Sequence, residues 1–269
     1  MRWDVGAYPW VAAGLVSVPA EGLEQRITAP PGFSRVALEP ATFGAWLRGL
    51  PVEPEGTPVR SYAGDTIRSA SSVAAVVALD VGKADLQQCA DAIMRLHAEW
   101  RWSTGAREHR YRSASGLSLE FSRWQRGERL VAEGPKLSWV PSGRARAADH
   151  ATLRSFLDAV FAWTNTVALG RQAKAVSFDE LRPGDFVVQG GNPGHAVLVL
   201  DEARAVDGRR ALLLGQSYMP AQSFHVLRAP AQHRLEGAHP GWFAVAADEV
   251  LQTPFWPQPF RWSELRRLD

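Results

Sequence analysis

Apolar positions follow two periodicities along this chain. From Leu86 they recur at three- and four-residue spacing through Cys89, Ile93, Leu96 and Trp100, which predicts a helix over residues 85–102 with Asp85 as its N-cap. Leu153, Phe156, Leu157, Val160 and Phe161 repeat the pattern and predict a second helix over 151–169. Thr42 caps a short helix that stops before Pro51. Elsewhere the apolar runs are short, β-branched and bounded by Gly or Pro, as strands are. They lie at 33–38, 73–81, 186–188, 196–200 and 211–215, with edge strands at 224–227 and 242–245. Residues 111–140 mix aromatics, Gly and charge and predict strands or a hairpin. Helices come early and strands late, so the fold class is α+β with a mainly antiparallel sheet. The stretch 1–32 ends in Ala29-Pro30-Pro31-Gly32 and reads as an extended arm. We expect a single domain over 1–269, with 1–60 an N-terminal extension packed on its core.

Composition narrows the partners. The 269 residues carry a net charge of +2 with scattered basic residues, which gives no reason to expect nucleic acid. One cysteine excludes an intramolecular disulfide and any four-cysteine zinc site. The seven histidines form no HExxH pair, so a metal site could arise only by long-range assembly, and no metal or cofactor is expected. No apolar run approaches the ~20 residues of a membrane span. Asp4, Tyr8, Pro9 and Pro19 interrupt the N-terminal apolar patch, so no export signal is read and the cytoplasm is the default location. Oligomeric state is left open. Eleven tryptophans suggest aromatic anchors for a core or a groove.

Three features carry candidate chemistry. Cys89 sits in the first turns of a helix, where outward-pointing amides and the helix dipole lower the pKa of an accessible thiol. His195 opens a strand after the Gly-rich loop Gly190-Gly191-Asn192-Pro193-Gly194. Gln216 ends the next strand and is placed to orient an imidazole, with Asp201 a more distant alternative. Thiol, base and neutral orienter are the parts of a papain-like thiol hydrolase. The Cys89 amide with Gln87 or Gln88 supplies oxyanion donors. Tyr218, Trp100 and Asn192 are substrate-lining candidates, and Asp80 and Asp91 are polar groups near the helix with structural roles. Each residue also has a plain reading: Cys89 as an inert thiol on an apolar helix face, His195 as a strand cap, Trp100 as core. Three functions follow: a cysteine hydrolase or acyltransferase acting on an amide or ester of a small molecule or peptide; a non-catalytic peptide- or glycan-binding module; or an interaction protein docking through its Trp/Pro-rich tail after Pro254.

Leu181-Arg182-Pro183-Gly184-Asp185-Phe186-Val187-Val188, followed by Gly194-His195-Ala196-Val197-Leu198-Val199, resembles the PGD…H segment of NlpC-type cell-wall peptidases. That resemblance implies a papain-like core with the cysteine on an early helix, His195 as catalytic base and a peptide or cell-wall fragment as substrate. The Asp-Cys-Ser-Gly nucleophile motif of those enzymes is replaced by Gln87-Gln88-Cys89-Ala90. More of the chain resembles a bacterial family, the domain of unknown function 4846. The matching segments are Leu86-Gln87-Gln88-Cys89-Ala90-Asp91-Ala92, Gly190 to Ala196, Gln216-Ser217-Tyr218-Met219-Pro220-Ala221-Gln222, Pro30-Pro31-Gly32-Phe33 and Phe43-Gly44-Ala45-Trp46-Leu47. That family implies no established activity.

Overall fold

The computed structural model describes residues 5–19 and 21–269. A nine-stranded sheet organises them. Its strands are β1 (Phe33–Arg35), β2 (Ala75–Val76), β3 (Lys174–Ala175), β4 (Phe186–Gln189), β5 (His195–Ala205), β6 (Arg210–Gln216), β7 (His225–Val226), β8 (Trp242–Val245) and β9 (Leu265–Arg267). The order is β2-β7-β6-β5-β4-β9-β3, and β1 and β8 pair with the far halves of β5 and β6. Every pairing is antiparallel. The long hairpin of β5 and β6 is central, turned at Asp207-Gly208, where the positive φ of 89° suits glycine. A register shift between Val199 and Asp201 marks a bulge at Leu200.

Side-chain alternation gives the sheet two buried faces. Ala196, Leu198, Ala211 and Leu213 share one core with Ile93 and Leu96 of α2 (Cys89–Ser103) and Phe156 and Leu157 of α3 (His150–Trp163). Val197, Val199, Leu212 and Leu214 face the other way, onto Trp256, Phe260 and Trp262. The tail after Pro254 therefore folds back as the cover of the second face. Of the first 32 residues, the described ones depart from the expected extended conformation. They form short helices at Pro9–Ala12 and Leu23–Arg26, and Tyr8, Trp10, Leu23 and Ile27 are buried in the helix-side core. Trp10 donates to Ala78 O at 2.6 Å and Trp242 to Thr28 O at 2.8 Å. Buried indoles with satisfied N–H groups help hold this segment against the body.

Other boundaries shift for local reasons. The helix expected from Asp85 starts at Cys89, and the second one breaks after Trp163, because Asn165 caps α4 (Thr166–Gln172) by accepting from Ala168 N at 2.9 Å. Thr42 caps α1 (Phe43–Arg48) as expected. Residues 111–140 hold two hairpins, Arg110–Arg112 with Ser118–Glu120 and Glu128–Glu133 with Lys136–Pro141. Among the described residues, no helix is long and apolar enough to cross a membrane.

Candidate functional site

The site begins where β4 hands over to β5. Gly194 is packed so closely that an added Cβ would lie 2.7 Å from Gln189 O and 2.9 Å from Gly191 N. Both are backbone atoms and cannot yield cheaply, so the loop must carry glycine there. Gly194→Ala is expected to cost about 1–3 kcal/mol, as overpacking does, and to displace the His195 end of β5; equilibrium urea unfolding measures it. Unchanged stability would show that the loop relaxes freely.

His195 is fully buried at the mouth of β5, on the face of Val197 and Val199. Its Nε2 lies 2.7 Å from Gln216 Oε1. Tyr218 and Trp256 hold the ring, with centroids at 4.9 and 5.0 Å. Among the described residues, Nδ1 has no hydrogen-bond partner. Burial pushes the imidazole pKa down to about 4; the Arg68 charge adds to this and the Gln216 hydrogen bond opposes it. Arg68 itself stacks 3.6 Å over Phe255.

Cys89 is the first residue of α2, directly after the N-cap Gln88. Gln88 N donates to Asp91 Oδ2 at 3.1 Å and Thr164 Oγ1 to Asp91 Oδ1 at 3.2 Å, which ties down the first turn. The thiol is 4% exposed, and its sulfur lies 4.0 Å from Gly194 O, next to His195 in the chain. A lowered pKa was expected on condition of access; the structure gives the opposite. Burial pushes the thiol up to about 12, the neighbouring Asp91 adds to the rise, and the amides of Ala90, Ala196 and Cys89 itself offset part of it. Burial also lifts the Asp91 carboxyl to about 7.

The remaining candidates divide. Gln88 and Asn192 line a cleft of about 310 Å³ beside Cys89, together with Met219 and Thr166. The Gln88 amide donates to Asp85 Oδ1 at 3.0 Å. Gln87 is fully buried and committed elsewhere: it donates to Asp80 O at 3.1 Å and accepts from Arg95 at 3.0 Å, so its amide does not face the cleft. Tyr218 touches the His195 ring, and its hydroxyl donates to Phe255 O at 3.0 Å. Trp100 does not reach the site. It packs on Phe43 and His97 at the other end of α2 and donates to Ala41 O. Asp201 is no orienter, because it is fully buried and holds Arg48 at 2.7 Å and Arg35. Asp80 pairs with Arg95 and Arg154. The sequence reading did not single out Arg68, Met219 or Trp256, which approach through loops and the tail and carry no periodic signal. Among the described residues, no group of three or more His, Cys, Asp or Glu side chains is placed to hold a metal ion.

Fold and site together define a mixed α+β protein with an antiparallel sheet, a buried histidine–glutamine pair at one strand end and a buried cysteine opening the adjacent helix. The chain belongs to the family described as domain of unknown function (4846), whose model matches residues 23–267. No curated protein and no solved structure matches it.

Proposed function

We propose that the protein is a papain-like thiol hydrolase or acyltransferase acting on an amide or ester, with a peptide or a cell-wall fragment as the substrate class to test first. The observation that carries this reading is the His195–Gln216 hydrogen bond, which engages Nε2 and leaves Nδ1 without a partner among the described residues, at the strand end whose preceding carbonyl, Gly194 O, lies 4.0 Å from the Cys89 sulfur. Gln216 Oε1 accepts, so Nε2 carries the proton and Nδ1 the lone pair. Cys89 attacks the carbonyl as its proton passes to Nδ1. Collapse of the adduct breaks the C–N or C–O bond, and the leaving group takes that proton. Water or a second nucleophile then releases the acyl group from sulfur. The Cys89 amide and Gln88, which lines the cleft, are the oxyanion donors of this scheme, and Asn192 and Tyr218 its substrate contacts.

With burial pushing the thiol up to about 12 and the imidazole down to about 4, the resting pair is neutral at pH 7. Proton transfer therefore accompanies attack. Alkylation of Cys89 by iodoacetamide, followed by mass spectrometry, is expected to be nearly flat from about pH 5 to 9 in the wild type. In His195→Ala it should fall and rise tenfold per pH unit, as unassisted thiolate chemistry does. Identical slow profiles in both proteins would overturn the reading. The burial of Cys89 and His195 supports a second one, a non-catalytic peptide- or glycan-binding module on this scaffold. It predicts those identical profiles, with ligand binding unchanged by Cys89→Ala.

A further inference from the structure

The base assigned to His195 needs a bare Nδ1, and a glutamine does not enforce one alone, because an amide flip would present N–H₂ to the ring and move the proton to Nδ1. The decisive group lies one strand further on. β7 pairs with β6 so that His225 stands directly opposite Gln216. His225 is fully buried, and its Nδ1 lies 2.9 Å from Ser223 O. A carbonyl oxygen accepts and never donates, so this nitrogen carries the proton and His225 Nε2 holds a lone pair. Nε2 lies 3.5 Å from Gln216 Nε2, which donates to it. The amide is thereby oriented with Oε1 towards His195 Nε2, at 2.7 Å.

We propose that His225 is a positioning residue that fixes, through Gln216, the tautomer in which His195 presents its Nδ1 lone pair. The proposal rests on His195 being the base. Donor and acceptor roles run in one consistent direction: His195 Nε2–H to Gln216 Oε1, Gln216 Nε2–H to His225 Nε2, His225 Nδ1–H to Ser223 O. The flipped amide would place Oε1 against His225 Nε2 and would require a proton on both of its ring nitrogens. That cation is disfavoured: burial lowers the imidazole pKa to about 4, and Arg68 and His195 lower it further against the Ser223 carbonyl. The ring meets Phe255 edge-on at 6.2 Å, and no ion pair links it to a carboxylate among the described residues. The contact at 3.5 Å is long, so its effect is orientational and modest, a factor of several to roughly ten between the two amide orientations, as one ordinary hydrogen bond gives.

The test is the tautomeric state of the histidines at pH 7, read from ¹⁵N shifts and two-bond couplings in ¹⁵N-histidine-labelled full-length protein, beside iodoacetamide alkylation of Cys89. In the wild type, His195 should be the Nε2–H form and His225 the Nδ1–H form. His225→Phe keeps a ring but removes the acceptor; it should mix the His195 tautomers and slow alkylation several-fold. His225→Gln, whose oxygen accepts from Gln216 and whose N–H₂ donates to Ser223 O, should restore both. An unchanged His195 tautomer in His225→Phe overturns the proposal and leaves the proposed hydrolase intact. A shifted tautomer with Cys89 inert in every protein keeps the positioning role and removes the catalytic one. Should His225→Phe not fold, the wild type still decides: Nδ1–H on His195, or Nε2–H on His225, overturns the assignment.

Discussion

Between about pH 6.5 and 4 the protein is expected to lose most of its stability, and the loss should be steeper than carboxylate titration gives. Four buried imidazoles are responsible. Burial lowers His97 to about 3 and His109, His195 and His225 to about 4, each from 6.5. A lowered folded pKa means that the unfolded chain binds the proton first. The stabilising contribution is therefore intact above 6.5 and drains away as pH falls towards the folded values. Asp91 acts in the opposite sense: burial raises it to about 7 from 3.8, so over the same range the folded chain holds a proton that unfolding releases. Four protons taken up less one released leaves three, and at about 1.4 kcal/mol per proton and pH unit the slope is about 4 kcal/mol per pH unit near pH 5. Against a typical total of about 5–15 kcal/mol, that suffices to unfold the chain in mild acid. Urea unfolding followed by tryptophan fluorescence at a series of pH values measures the slope. A curve flat from pH 7 to pH 5 would contradict the burial of these rings as neutral groups.

These four histidines also show where the sequence stops being informative. The α+β class was legible because periodicity is local: α2 and α3 announce their apolar faces, and β5 and β6 their β-branched runs. His195 and Gln216 were legible as strand-end polar residues, and the β5–β6 hairpin brings them to 2.7 Å. The failures are non-local or geometric. Cys89 shares its spacing with Leu86 and Ile93, so an inward direction was readable, but its closure depends on Gly194, which is distant in sequence. Trp100 lies eleven residues along α2, roughly 16 Å at 1.5 Å per residue, which alone excludes it from the Cys89 end. The place of the tail was not legible because Pro- and Trp-rich composition does not tell a loose segment from one that seals a sheet face. His225 gave no signal, since its role depends on the strand register that places it opposite Gln216.

Replacing Arg95 by methionine is expected to cost about 3–5 kcal/mol, the usual loss when one partner of a buried ion cluster is removed. Arg95 is fully buried in α2 and donates to Glu99 Oε1 at 2.7 Å, Asp80 Oδ1 at 2.7 Å and Gln87 Oε1 at 3.0 Å. One guanidinium thus fastens the helix to the segment 80–87 that delivers Cys89. Glu99 is also fully buried and holds His150 at 2.8 Å. Burial pushes both carboxyls up, yet Arg95 pulls them below their ordinary values, helped by Arg154 at Asp80 and by His150 at Glu99. In the wild type these lowered carboxyls add stability above their unfolded pKa values, and it is lost as pH falls through the folded ones. Without Arg95 much of the pull against burial disappears. The Glu99 carboxyl then rises and destabilises as pH climbs through its unfolded value. The gap between Arg95→Met and wild type should therefore widen from acid to neutral pH, and urea unfolding at both ends of that range measures it. Replacing Arg95, Glu99 and Asp80 together with apolar residues of similar volume should recover much of the loss, because no buried charge is then left unpaired. A single-variant loss below about 1 kcal/mol at neutral pH would mean that water reaches the cluster and that Cys89 is not anchored through it.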